Sequence, residues 1–193
     1  MIPLRFKAIV LLFFVILGIS CTKENKKIPI ISKDIALHQE KIDSLHFTNE
    51  LNKRFLISSV NGDVHIINFF FTSCKTICPL MEVPLNELAK KYTDVKFLSF
   101  TIDPDGDSIA VLKEYHELHK RSNQTLLRGS KKDLGDIAKY YLNSIDTDDI
   151  ESLYHTSYIA LLDKEMNIRG LFDSLDPEDM AFLEKDIVIL LKN

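Results

Sequence analysis

Cys74 and Cys78 stand with three residues between them, in the stretch Phe69-Phe70-Phe71-Thr72-Ser73-Cys74-Lys75-Thr76-Ile77-Cys78-Pro79. An apolar, strand-like run leads in, and a proline able to open a helix follows. A thiol at a helix N-terminus feels the positive end of the helix dipole and the free backbone N–H groups there. Both stabilise thiolate, so its pKa falls below the ordinary value of about 8.5. Lys75 adds positive charge nearby. Thiolate is the nucleophilic form and the metal-ligating form alike. An offset of four residues is about one helical turn, so both sulfurs can face the same way. They can close a disulfide if their Cα atoms come within roughly 7 Å, or they can grip one ion. Two soft thiolates suit Cu(I) or Zn(II).

The elements around the pair decide what else can reach it. His46 to Thr48 and Arg54 to Ile57 flank a short polar turn and read as a hairpin. Val64 to Phe71 is apolar apart from His65 and Asn68, which suits a central strand buried on both faces. Pro79 to Tyr92 carries Leu80, Leu85, Leu88 and Ala89 at helical spacing, with Pro84 as a kink. Val95 to Ile102 is the next strand. Ser108 caps a helix from Ile109 to about Lys120, with Leu112 and Tyr115 inward. Thr125 to Arg128 is a short strand, Lys132 to Leu142 a helix, and Asn143 to Leu153 an acidic loop. Tyr158 to Leu162 and Ile168 to Phe172 form a hairpin. Asp176-Pro177 opens the last helix. Strands alternating with helices imply an α/β domain with a central, mostly parallel sheet, a terminal antiparallel hairpin and helices on both faces. A cysteine pair at the first central strand-to-helix turn of such a pattern resembles the thioredoxin-like fold.

Two thiolates need further ligands to hold a metal. The chain has six histidines. His38 and His46 lie near the tether, and His65 lies inside the central strand. His116 and His119 lie on a helix surface and are expected to be solvated. His155 comes immediately before the strand that begins near Ser157. In a thioredoxin-like sheet, the segment entering that strand runs beside the cysteine turn, so His155 is the histidine best placed to meet Cys74 and Cys78. Asp103 and Asp107 could be read as a hard-metal pair. Asp103-Pro104-Asp105-Gly106-Asp107-Ser108 is also a good turn and helix-start sequence, and that is the preferred reading.

The first 20 residues are a different kind of segment. Arg5 and Lys7 precede twelve apolar or small residues, Ala8 to Ile19. That run is shorter than the roughly 18 residues a membrane span needs, so it reads as a signal-peptide core. It ends in Leu17-Gly18-Ile19-Ser20-Cys21, which resembles the lipobox of bacterial lipoproteins, where the cysteine is acylated. The expected division is a lipoprotein signal peptide over 1–20, a lipidated N-terminus and tether over 21–43, and a thioredoxin-like domain over 44–193. Anchoring to a lipid bilayer through Cys21 would place the domain in the bacterial cell envelope, on the periplasmic side. Export makes the redox state of Cys74 and Cys78 a real variable. The net charge is -4, and no basic stripe runs along any segment, which argues against nucleic acid as a partner.

Together these blocks resemble the Sco/SenC family of copper-binding thioredoxin-fold proteins. The family pattern is T-x-C-x-x-x-C-P after a strand, then D-P-x-x-D after the next strand, then a late histidine. Here those are Thr72, Cys74, Cys78 and Pro79; Asp103, Pro104 and Asp107; and His155. The resemblance implies that Cys74, Cys78 and His155 bind one copper ion, as Cu(I), Cu(II) or both. It further implies delivery to the cytochrome c oxidase subunit that carries the CuA site. The chain departs from the pattern at Lys75 and Thr76, where members often have proline and aspartate, and at Tyr154, where an acidic residue is common. These changes spare the three ligands and alter the charge around the metal. Two enzymatic readings compete. In a thiol–disulfide oxidoreductase, Cys74 would attack, Cys78 would resolve and His155 would be dispensable. A peroxiredoxin-like peroxidase would need a proline ahead of the reactive cysteine, and Asn68 to Cys74 has none.

Overall fold

The computed structural model describes residues 29, 30, 42, 44–119, 121–142 and 156–192. A first hairpin pairs β1 (Phe47–Asn49) with β2 (Arg54–Phe55). Its turn is set by Asn49, whose side-chain oxygen accepts from the amides of Leu51 (3.1 Å) and Lys53 (2.9 Å). Asn52 takes the left-handed conformation (φ 59°) that asparagine tolerates. A 3-10 turn over Ile57–Val60 then leads to β3 (Val64–Phe70).

Strand β3 is the centre of the molecule, and all seven of its residues are buried. It is followed by α1 (Ile77–Lys91), β4 (Val95–Thr101), α2 (Ile109–His119), β5 (Gln124–Gly129) and α3 (Lys131–Tyr141). The chain closes with β6 (Tyr158–Leu162), β7 (Ile168–Asp173) and α4 (Pro177–Leu191). The seven strands form one sheet in the order β2-β1-β5-β4-β3-β6-β7. The three central strands β5, β4 and β3 run parallel. An antiparallel hairpin closes each edge. The parallel centre and the closing hairpin match the sequence-based expectation, and the two hairpins together make the sheet mixed.

Pleating sends alternate residues of β3 into two separate cores. On one face Ile67 and Phe69 meet Phe47, Leu98, Phe100 and the inward stripe of α3, namely Leu134, Ile137, Ala138 and Tyr141. On the other, Val64 and Ile66 meet Met81, Leu85 and Leu88 of α1 and Leu183 and Ile187 of α4. The inward stripe of α1 differs from expectation at one position. Leu80 is 60% exposed, and Met81 is buried instead. Leu80 lies five residues before Leu85, about 140° around the helix, so it cannot share that face. The second core also holds a buried polar chain. Gln124 donates to the Ser99 hydroxyl (2.7 Å), and Ser99 donates to Asn68 (2.6 Å), linking all three parallel strands.

His65 is fully buried in β3 and its ring nitrogens make no well-formed hydrogen bond to the described residues. Burial pushes its imidazole down to about 4, and the backbone and charge of Asp63 offset this only in part. The ring is therefore neutral in the folded state at every pH above about 4, whereas the unfolded chain takes a proton below about 6.5. The unfolded state binds more protons in that window, so stability falls as pH drops through it. Between pH 7 and pH 5 the wild type is expected to lose about 2 kcal/mol more than His65→Leu, read from urea unfolding at the two pH values.

Candidate metal centre

The C-terminal end of β3 delivers the cysteine motif. Phe70 is still in the sheet, and its carbonyl accepts from Ile102 N (2.8 Å). The chain then turns, with Cys74 N donating to Phe71 O (3.1 Å). Helix α1 begins at Ile77. Its N-cap residue, Thr76, makes no side-chain capping bond. One of the helix's unpaired first-turn amides goes to sulfur instead, Cys78 N donating to Cys74 Sγ (3.3 Å). The Thr76 hydroxyl lies 4.0 Å from the same sulfur. Cys74 thus takes the place of a capping oxygen, and the positive end of α1 points at it.

The two thiols sit in unlike surroundings. Both are free rather than joined in a disulfide. Cys74 is half-buried, and burial on its own would raise its pKa. Hydrogen bonds from the Cys78 thiol and amide and from Thr76 outweigh that and bring it below the ordinary thiol value. Cys78 is buried among Phe70, Leu112 and Leu126, with Tyr115 against the cluster. Burial first, and then its hydrogen bond to Cys74, push it up to about 12. One thiol is therefore drawn toward thiolate, and the other, more deeply buried, is held protonated behind it.

The turn that carries them is tied to β4 by one carboxylate. Asp107, buried, accepts from the Thr72 amide (3.1 Å), the Thr72 hydroxyl and the Thr101 hydroxyl. The Thr101 oxygen accepts in turn from Asp103 N (3.1 Å), and Asp103 accepts from Gly106 N (3.1 Å). Asp103 and Asp107 are thus occupied as acceptors of turn and motif hydrogen bonds, in keeping with the structural reading of that segment.

Among the described residues, no cluster of three His, Cys, Asp or Glu side chains gathers that could hold a metal ion. Cys74 and Cys78 come together as expected. His155, the expected third ligand, and Cys21, the expected lipid site, lie outside the described residues. His116 and His119 are half-buried rather than solvated, with His119 Nδ1 3.5 Å from the Glu82 carboxylate. Glu82 itself was not foreseen as part of this region. It is buried one helical turn beyond Cys78, and that four-residue spacing is the signal the sequence offers for it. No helix among the described residues is long and apolar enough to cross a membrane. As it stands, the centre supplies two convergent sulfurs, one of them thiolate-prone, to a thiophilic cation or to another protein's disulfide.

A family model described as SCO1/SenC matches residues 34–188. The chain is 34% identical over 79 residues to the SCO1 protein homolog of Bacillus subtilis (strain 168). That match spans 39% of this chain and 41% of the relative's length. Among solved structures, a SCO1/SenC family lipoprotein from Bacillus anthracis superposes with a TM-score of 0.66 at 28% identity, covering 76% of this chain and 92% of that one. Yeast Sco1 with copper bound superposes with a TM-score of 0.55 at 26% identity, covering 74% and 89%.

Two outcomes follow from the geometry. Iodoacetamide at pH 8 should label Cys74 at least about tenfold faster than Cys78, as read by peptide mass spectrometry, because only Cys74 is both accessible and thiolate-prone. Asp107→Asn puts an amide donor where two hydroxyls and an amide donate. It should cost roughly 2 kcal/mol in urea unfolding and narrow the labelling difference between the two cysteines.

Proposed function

This chain belongs to the SCO1/SenC family, and on that premise we propose that it is a membrane-tethered copper carrier. It binds one copper ion through Cys74, Cys78 and His155 and passes it to the CuA site of cytochrome c oxidase. The observation that carries this reading is the convergence of two sulfurs at the end of the central strand, Cys74 capping the first turn of α1 and Cys78 within it, with Cys74 drawn toward thiolate. Copper is cargo here. The approaching ion meets the Cys74 thiolate first. It then takes the place of the proton on Cys78, which leaves to solvent, and the neutral imidazole of His155 completes the set. Soft thiolates favour Cu(I), and the added imidazole lets the same set accept Cu(II). Release to an acceptor reverses the order, with the buried Cys78 regaining its proton as the metal leaves. In this reading residues 1–20 are removed as a signal peptide, and acylated Cys21 holds the chain to the membrane of the cell envelope. Residues 22–43 then give the 44–193 domain its reach on the periplasmic side.

A second reading, thiol–disulfide exchange, is favoured by the opposite protonation preferences of the pair. The Cys74 thiolate would attack one sulfur of a partner disulfide and expel the other as thiolate. Cys78, giving up its proton, would then attack Cys74 and release the partner's second thiolate. The products are a reduced partner and an oxidised Cys74–Cys78 pair.

One experiment separates the two. Reduced wild-type protein is expected to bind about one copper per chain, and Cys74→Ser, Cys78→Ser and His155→Ala should each weaken Cu(I) binding by 100-fold or more, in the range of about 3 kcal/mol or above. His155→Ala should leave reduction of a disulfide substrate unchanged. Undiminished copper affinity in His155→Ala would discard the three-ligand carrier and leave the exchange reading.

A further inference from the structure

Helix α1 carries Cys78 in its first turn and Pro84 in its interior. Proline has no N–H, so the Leu80 carbonyl loses the bond that position 84 would otherwise return, and the ring crowds the preceding turn. The turns from Ile77 to Val83 are therefore joined to the rest of α1 less firmly than in an unbroken helix. Cys78 lies on the loosely joined side.

Glu82 lies on that side too. It follows Cys78 by one helical turn, so both side chains project from the same face of α1, and both are buried. The Glu82 carboxylate accepts from Nη2 of Arg121, whose side chain is 4% exposed. The Tyr115 hydroxyl donates to it at 3.4 Å. His119 Nδ1 stands 3.5 Å away. All three partners come from the C-terminal half of α2 or the segment just beyond it. Tyr115 packs at a tilt against Phe70, ring centroids 5.2 Å apart, and against His119 at 4.2 Å, and with Leu112 it walls the Cys78 side chain. One surface of α2 therefore touches Cys78 and, a turn further along, grips Glu82. A buried ion pair adds little net stability compared with apolar packing, yet removing one partner is costly. Its geometry is directional, and here it fixes one helix turn against another helix.

We propose that Glu82 is a positioning residue for the cysteine pair, its buried ion pair with Arg121 latching the Cys78-bearing turns of α1 to the end of α2 and the segment just beyond it, ahead of the backbone bond that Pro84 forgoes. The latch deepens the copper reading and rests on it for one of its two measurements; the other needs no metal.

Amide hydrogen exchange on the full chain in detergent, together with Cu(I) competition, tests the latch. Two variants are compared, Glu82→Gln and Pro84→Ala, the second of which restores an amide to the Leu80 carbonyl without unpairing Arg121. Glu82→Gln should speed exchange at residues 78–83 about tenfold relative to residues 85–91 and weaken Cu(I) binding about tenfold. Pro84→Ala should slow the same amides about tenfold, and in that background Glu82→Gln should cost Cu(I) binding less than about threefold. Uniform acceleration along the whole helix, or an undiminished copper penalty in the Pro84→Ala background, overturns the latch. If the wild type takes up no copper, the proposed function fails, and the exchange pattern alone decides about Glu82. If Glu82→Gln does not fold, unchanged exchange at residues 78–83 in Pro84→Ala overturns it.

Discussion

The cysteine centre depends on the buried carboxylate of Asp107. β3 and β4 run parallel and end side by side, and the chain must leave both in different directions. Asp107 gathers the amide and hydroxyl of Thr72 and the hydroxyl of Thr101, and so closes the two strand ends into one frame. A buried carboxylate is tolerable only when donors surround it, and here the donors are the residues that must be fixed. The first turn of α1 can then present its amides to Cys74 Sγ at a defined place.

That frame lets two chemically identical side chains behave differently. Cys74 borrows a helix amide and stays partly exposed, while Cys78 is packed into apolar surroundings four residues on. A metal carrier gains from this division. In the proposed carrier, a thiol inclined to ionise would meet the ion first, and a thiol whose proton must be displaced would make release reversible, because the empty site regains a favourable protonated state. The same division would make an attacking and a resolving thiol, which explains why thioredoxin-like scaffolds host both chemistries.

Much of this was legible in the residues because it is local. The run from Val64 to Phe71 announces a strand buried on both faces, Pro79 marks the helix that follows, and Asp176-Pro177 marks the last one. The turn reading of Asp103 to Ser108 holds because its signals lie within a few residues of one another. What escaped was non-local. Glu82 draws no reading from its neighbours in sequence, because its partner Arg121, just beyond α2, lies 39 positions away. His119 reads as surface for the same reason. His65 sits in an alternating strand whose both faces are covered, so pattern alone could not show that its ring meets no well-placed partner. Leu80 went astray by one position because the stripe set by Leu85 and Leu88 passes one turn earlier through Met81, not Leu80. His155 and Cys21 lie outside the described residues, and their roles rest on motif and topology.

The place of β3 in the sheet also bears on how the protein is made. Its first partner, β4, follows within a few tens of residues, but its other neighbour, β6, begins only at Tyr158. During synthesis this fully buried central strand therefore waits with one edge unpaired while roughly ninety residues are added. An open, uncharged edge of this kind is a template for pairing between chains. High contact order at the centre of the sheet means slow completion. The thiols at its tip are left on a half-built scaffold through that interval, so escort by a holding chaperone and a reducing hand on the nascent cysteines would favour correct maturation.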